Sequence, residues 1–352
     1  MPDVRMLITA VRDLQWRLRR FIVAAVGTAM VFALTLVLAG LTHGFRVEAE
    51  HVVDSLDIDS YLIQTAAVGP FMGSSRFPQE AAGDVGAISG VRAALPVVYG
   101  NTILQDGASP QNVNIYGVPK AAMPPLISGR APTEPNEIAA STTMKRAVGE
   151  NIELGAGTMR IVGLVDKSTT LAGQPNAFLT VAGAQRLMYS GQPVVSAIGL
   201  RGVPEQVPAG YRVVDRAAAV DDMVRPLAGA QMALSYMSVL LWAVAGLIVG
   251  SLIYLSALER TRDFAVFKAL GVTTSMVLAG LALQAVTVAV AAAVFGGILA
   301  VAIGPAFPML VAVTGASFAL LVLTAVGIGL LASLAGLRHA VNVDPVLAFG
   351  GP

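Results

Sequence analysis

The chain has 352 residues, of which 55% are hydrophobic and 13% charged, with no cysteine and a net charge of +1. Soluble proteins carry about a quarter charged residues, so this chain is depleted roughly twofold. Without cysteine it has no disulfides, thiol chemistry or zinc–cysteine sites, and the near-neutral balance gives no electrostatic footprint for nucleic acid or an acidic partner.

Residues 1–20 carry Arg5, Arg12, Arg17, Arg19 and Arg20, while Val4, Leu7, Ile8, Val11, Leu14 and Leu18 recur at helical spacing. That pattern predicts a cytoplasmic amphipathic helix on the membrane surface. No Asp, Glu, Lys or Arg occurs from Phe21 to Thr42. About 20 apolar residues cross about 30 Å of hydrocarbon, so 21–43 is read as the first transmembrane helix. The stretch is longer than the apolar core of a cleaved signal peptide, and no clear small-x-small site follows it.

Region 44–230 has a different texture, with most of the prolines and acids and apolar runs of strand length. It is read as a large extracytoplasmic α+β domain. Strands are expected at Ile58–Thr65, Val97–Leu104, Val113–Val118, Asn151–Leu154, Met159–Val165, Ala177–Thr180 and Val194–Leu200. Short helices are expected at Thr142–Val148, capped by Ser141 or Thr142, and at Ala182–Tyr189. A helix from about Asp215 runs toward the next span, interrupted near Pro226.

Charge disappears again from Gln231 to Leu258 and from Ala269 to Leu337. These stretches give transmembrane helices at 231–257, 273–303 and 317–337, with a charged cytoplasmic helix at 258–272, a short outer loop at 304–316 and a tail at 338–352. The fold class expected is therefore membrane α-helical: four transmembrane helices, with the α+β domain inserted between the first and second. Lys and Arg in short loops mark the cytoplasmic side, which places both termini and the 258–272 element inside.

Several chemistries lack their residues. There is no G-x-x-x-x-G-K-[ST] phosphate loop and no G-x-S-x-G turn, and the three histidines, His43, His51 and His339, all flank spans. The spans contain no Asp, Glu, Lys or Arg. Ion-coupled carriers place such groups at membrane depth, and Gln284 reads as a helix–helix hydrogen bond instead. The chain is not expected to be an enzyme or to bind a metal or cofactor, and energy for any transport must come from another polypeptide. Gly246 and Gly250 form a G-x-x-x-G pair suited to close helix packing, within the bundle or at a dimer seam.

The most distinctive segment is Leu258–Val272, LERTRDFAVFKALGV. A charge cluster is followed by Phe264 and Phe267, with Glu259/Asp263 and Phe264/Lys268 each four apart and a helix stop at Gly271. Exposed aromatics beside charges make a docking surface.

This run resembles the coupling segment of the FtsX/MacB-type ABC transporter permeases (type VII ABC fold), whose usual form is close to E-R-x-[RK]-E-I-G-x-[LM]-[RK]-A-[LI]-G. Residues 13–44 resemble that family's amphipathic helix and first span. Residues 129–165 resemble its outer-domain core, with Gly129-Arg130, Asn136-Glu137-Ile138 and Ile161-Val162-Gly163, and the tail LRHAVNVDPVLAFGG resembles its closing element. Asp263 stands where the family more often has Glu, and Phe264-Ala265 where it often has Ile-Gly.

The resemblance implies a half-size permease without a fused ATPase, in a bacterial plasma membrane. ATP and magnesium would be held by a separate cytoplasmic ABC ATPase, with a second permease copy or paralogue beside this one. Glu259, Arg260, Arg262, Asp263, Phe264, Phe267 and Lys268 would then couple the ATPase to the membrane helices, moving the outer domain by mechanotransmission. Three outcomes compete: export or extraction of a lipophilic, lipid or peptide substrate, with an extracytoplasmic adaptor as a further partner; regulation of a cell-wall hydrolase without transport; and, last, import.

Overall fold

A computed structural model describes residues 18–73, 75–105, 110–258 and 274–341. Helix α1 (Leu18–Ser55) is followed by β1 (Ser60–Gln64), β2 (Phe77–Pro78), α2 (Ala81–Gly86), β3 (Val91–Gln105), β4 (Gln111–Gly117), β5 (Ser128–Gly129) and β6 (Glu137–Ser141). Then come β7 (Asn151–Leu154), β8 (Gly157–Val165), β9 (Thr169–Thr170), β10 (Gln174–Leu179), α3 (Val181–Tyr189), β11 (Val194–Val195), β12 (Ala197–Gly202) and β13 (Tyr211–Asp215). Helices α4 (Arg216–Val224), α5 (Ala228–Leu258), α6 (Thr274–Ile303) and α7 (Gly315–Val341) complete the described chain. Contacts divide it into two units, Met1–His43 with Gln231–Pro352, and Gly44–Ala230.

The Gly44–Ala230 unit is built on one mixed sheet ordered β13-β1-β12-β3-β4-β10-β6-β8-β5, with β7 bridging β3 and β8 and β9 added to β10. Pairs β10/β4 and β6/β8 are parallel. Strand β3 is long because it serves two neighbours: Val91–Val97 pair with β12 and Val98–Leu104 with β4. Side chains alternate across a strand, and here both faces are buried. Tyr61, Ile63, Val97, Tyr99, Tyr116 and Phe178 share one apolar cluster with Ala49, Val52 and Val53 of α1 and Ala219, Val220 and Met223 of α4. Leu62, Val98, Ile115, Ile138 and Leu179 share the other with Val85 of α2 and Ala184 of α3. Both faces are covered along Gln174–Leu179, where every residue from Pro175 on is buried, including Asn176.

The local expectations meet three corrections. The Thr142–Val148 helix is a single 3-10 turn, Thr142–Met144, with the Ser141 hydroxyl accepting from the Thr143 N–H. Lys145, at φ 55°, ends it, because the chain must turn back toward β7. The strand expected over Val194–Leu200 is broken at Ser196, whose hydroxyl accepts from the Tyr99 N–H at 3.0 Å. The first helix does not stop near residue 43 but runs unbroken to Ser55. Strands β6 and β13 had no counterpart in the sequence reading.

Among the described residues, three helical stretches are long and apolar enough to cross a membrane: Ala25–Ser55 and Arg216–Ser251, each continuing from the Gly44–Ala230 unit into the other, and Ala282–Ala306. A shorter apolar stretch, Gly315–Ile328, lies within α7. The core of that other unit uses small residues: Ala29 and Ala33 of α1, Ala245 of α5, Ala289, Ala292, Ala293 and Ala300 of α6 and Ala325 of α7, around Phe32 and Leu36. Several hydroxyls in these helices donate to their own backbone, as Thr35 does to Val31 and Thr287 to Leu283, whereas the buried Thr28 hydroxyl of α1 has no partner. Gly296 sits where α6 crosses α1; a Cβ there would lie 2.8 Å from the Ala29 carbonyl oxygen and 3.1 Å from the Ala33 nitrogen.

Backbone atoms of a helix cannot swing aside, so Gly296→Ala should destabilise the purified chain by about 1–3 kcal/mol, the usual cost of overpacking. Gly27→Ala on α1, where a Cβ meets nothing within 4 Å, should not. Thermal unfolding of both variants in the same detergent checks this, and equal midpoints would refute the crossing.

Candidate functional site

The Gly44–Ala230 unit joins the rest of the chain within α1, at His43–Gly44, and within α5, at Ala230–Gln231; inside the unit α1 runs into β1, and β13 into α4. Strands β1 and β13 are hydrogen-bonded neighbours at one edge of the sheet, in register from Ser60↔Asp215 to Gln64↔Tyr211. Incoming and outgoing chain are thus joined side by side. Asp215 ends β13 and caps α4, its carboxylate accepting from the Ala218 N–H at 2.8 Å. Arg216, the first residue of α4, donates from Nε to the Ile58 carbonyl and faces Asp59 at 3.4 Å and Asp54 at 3.7 Å. The Gly202 N–H, with Arg216 and Arg92, holds the Asp59 carboxyl below its ordinary value. Arg46 of α1 reaches Asp221 of α4 at 2.8 Å and Glu50 of its own helix at 2.9 Å. Those exposed pairs add little stability singly, but they set α1 and α4 in one register.

A second constellation surrounds the segment of sequence carrying Gly129-Arg130 and Glu137. Gly129 has φ 78°, and a Cβ on it would lie 2.2 Å from the Val162 carbonyl oxygen. Only glycine lets β5 lie this close to β8. The carboxylate of Glu137, 8% exposed, accepts from Arg130 through both guanidinium nitrogens. It also accepts from the Thr133 N–H at 3.0 Å and the Glu134 N–H at 3.2 Å. The Arg130 bonds, then the Thr133 N–H, lower the Glu137 pKa from 4.5 to about 2. This cluster locks the 129–137 connection onto the sheet.

The seven residues singled out for coupling, Glu259, Arg260, Arg262, Asp263, Phe264, Phe267 and Lys268, lie outside the described residues, between the end of α5 at Leu258 and the start of α6 at Thr274. Of the glycine pair on α5, Gly246 faces α7, where a Cβ would meet Ile328 at 3.8 Å, while Gly250 faces open space. Of the three long apolar stretches, the one that contains most of α5 is the least buried. Tyr236, Leu240 and Leu247 all point outward from it. No group of three or more His, Cys, Asp or Glu able to hold a metal occurs among the described residues.

Residues 235–345 match the family described as FtsX-like permease, C-terminal. Over 349 residues, 99% of this chain and 100% of the relative, the sequence is 53% identical to an uncharacterized ABC transporter permease of Mycobacterium tuberculosis strain H37Rv. A second such permease of the same strain is 50% identical over the same span. Among solved structures, the chain is similar to the extracellular domain of the noncanonic ABC-type transporter YknZ from Gram-positive bacteria. That likeness has a TM-score of 0.34 at 11% identity and covers 44% of this chain and 99% of that one.

Because the folded state holds the Glu137 carboxyl lower than the unfolded chain does, its contribution is complete above about pH 4.5 and fades as pH falls toward about 2. Glu137→Gln should therefore lower stability at neutral pH, by about 1.5–3 kcal/mol for hydrogen bonds to a charged group. The gap to the unsubstituted chain should narrow on acidification through that window. Unfolding midpoints measured across pH check it, and a gap independent of pH would contradict the assignment.

Proposed function

This chain belongs to the ABC transporter permeases with an FtsX-like C-terminal domain, and on that premise we propose that it turns ATP hydrolysis by a separate cytoplasmic ATPase into movement of its inserted domain. The domain lies outside the bacterial plasma membrane, and the movement serves export or extraction of a lipophilic, lipid or peptide substrate. The membrane part consists of four spans, the fourth in α7, with both termini cytoplasmic. The Arg-rich N-terminus, the basic 258–272 segment and the uncharged 304–316 connection support that orientation.

One observation carries the reading: the side-by-side pairing of β1 with β13, continued by the Arg46–Asp221 contact between α1 and α4. A domain attached through two paired strands follows its helices as a body, instead of swinging on independent tethers. Helix α1 is continuous from Leu18 to Ser55, and α4 leads through the Arg225–Leu227 turn into α5. Displacement of these helices therefore becomes displacement of the sheet. The drive enters at the 258–272 segment between α5 and α6, where Phe264 and Phe267 seat in the ATPase and Glu259, Arg260, Arg262, Asp263 and Lys268 orient them. A second copy of the permease covers the bare face of α5 around Gly250, replacing lipid with protein.

Phe267→Asp should uncouple the system: the variant inserts in the membrane, but ATP hydrolysis no longer depends on the permease and transport is lost. Affinity purification from native membranes, followed by ATPase assay, tests both parts. A normally coupled variant would remove the 258–272 assignment. Co-purification of a cell-wall hydrolase in place of a transport adaptor would turn the same lever toward regulation.

A further inference from the structure

The sheet face beneath α1 and α4 carries two features that the lever does not require. The first is a cluster of five rings. Tyr61, Tyr99, Tyr116 and Phe178 come from strands β1, β3, β4 and β10, but Phe71 comes from the loop after β1. Its ring sits 5.3 Å from Tyr61, 5.6 Å from Tyr99 and 6.0 Å from Tyr116, edge-on to each. The second is a buried polar network. Thr170 Oγ1 accepts from Asn114 at 2.8 Å, donates to Asn176 at 2.8 Å and lies 3.3 Å from the Tyr116 hydroxyl. The Tyr99 hydroxyl donates to the same Asn114 at 3.2 Å. The Tyr99–Tyr116 pair, 5.1 Å apart, therefore touches both the Phe71 loop and the Thr170 turn.

Each of these two segments is held by a buried carboxylate, and the two carboxylates belong to the two attachment helices. Asp222 of α4, fully buried, accepts from the Phe71 and Met72 N–H groups, both at 2.8 Å. The loop is shaped to that carboxylate: a Cβ on Gly69 would lie 2.0 Å from the Asp222 carboxyl carbon. Glu48 of α1, 3% exposed, accepts from the Gly173 N–H at 3.1 Å. That bond holds a turn with three consecutive left-handed residues, Leu171 at φ 50°, Ala172 at 66° and Gly173 at 84°. Such a run is unfavourable for Leu and Ala and persists only where the surroundings impose it. The sheet contributes little to either segment, since β9 is two residues long and the next strand after the Phe71 loop is the two-residue β2. The buried Tyr61, whose ring Phe71 meets edge-on, has a hydroxyl with no hydrogen-bond partner.

We infer that Glu48 and Asp222 form a two-point latch, in which the paired attachment helices hold Phe71 and Thr170 against the Tyr99–Tyr116 pair. A shift of α1 against α4 loosens both segments together and uncovers this aromatic and amide-lined face. The segments are the weakly bonded part of the domain, where local opening is least costly, while β6 and β8 stay closed. What drives α1 against α4 rests on the permease reading above; the coupling of the two segments through Tyr116 does not.

Hydrogen exchange of the full chain in lipid nanodiscs, with no ATPase present, tests the coupling. Asp222→Ala should speed exchange over 66–73 by about tenfold or more, and should also speed 169–176 severalfold. Glu48→Ala should do the reverse, with 137–141 and 157–165 unchanged in both. If each variant loosens only its own segment, the carboxylates are independent anchors and the latch is wrong. Should Asp222→Ala loosen 137–141 and 157–165 as well, Phe71→Leu decides instead: faster exchange over 169–176 supports the latch, and unchanged exchange overturns it. Repeating the measurement with the ATPase and trapped nucleotide separates the two readings. Coupled segments that ignore nucleotide would leave the latch standing and remove the proposed drive.

Discussion

Ten residues of paired backbone, Ser60–Gln64 against Asp215–Tyr211, hold together the two ends of a domain of nearly two hundred residues. The ladder hydrogen bonds of an antiparallel pair, continued by Arg216 against Asp59 and by Arg46 against Asp221, fix the end of α1 and the whole of α4 to the same sheet edge. The rest of the architecture follows from this constraint. Since β1 and β13 lie at one edge of the sheet, α1 and α4 leave from the same edge. Their apolar residues Val52, Val53, Val220 and Met223 can then cover one sheet face together. The helices that attach the domain are thus also part of its core.

That double duty gives polar residues on α1 and α4 access to the interior. A helix covering a sheet usually presents only apolar side chains to it, whereas Glu48 and Asp222 enter as carboxylates that accept from backbone N–H groups of loops, Asp222 also pairing with Arg225 at 3.0 Å. A buried carboxylate deprived of its donors is costly, so loop and helix positions depend on each other. The contrast with Glu137 is instructive. That carboxylate is equally enclosed, but all its partners lie within seven residues of it in sequence, so it closes a local connection and transmits nothing.

The membrane unit solves a different problem. In hydrocarbon, apolar side chains gain nothing by meeting one another instead of lipid, so helices associate through close backbone approach. Gly40 against Val311 and Val313, Gly296 against Ala29 and Phe32, and Gly297 against Phe318 are such approaches. Helix α5 makes few of them. It is also the helix that leads from the inserted domain to the 258–272 segment, and a loosely packed helix has room to move.

The membrane character of the chain, a strand-rich inserted region and the resemblance carried by 258–272 are all legible in the order of residues. Partition into a bilayer is close to additive over residues, so a charge-free run of sufficient length announces itself. Three helical stretches among the described residues meet that length and apolarity. Boundaries were less legible: α1 continues to Ser55 because Ala49, Val52 and Val53 find a sheet to cover, which no local pattern shows. Strand β6, Glu-Ile-Ala-Ala-Ser, looks helical from its alanines. It is a strand because β8 and β10 flank it, where small side chains suit a sheet covered on both faces. Gly296 was visible as a small residue but not as the contact with Ala29, and Asp222 could be paired locally with Arg225 but not with Phe71, 151 residues away. Local chemistry fixes what a segment can be, whereas pairings over such distances depend on which surfaces are brought together, and only the tertiary structure decided that.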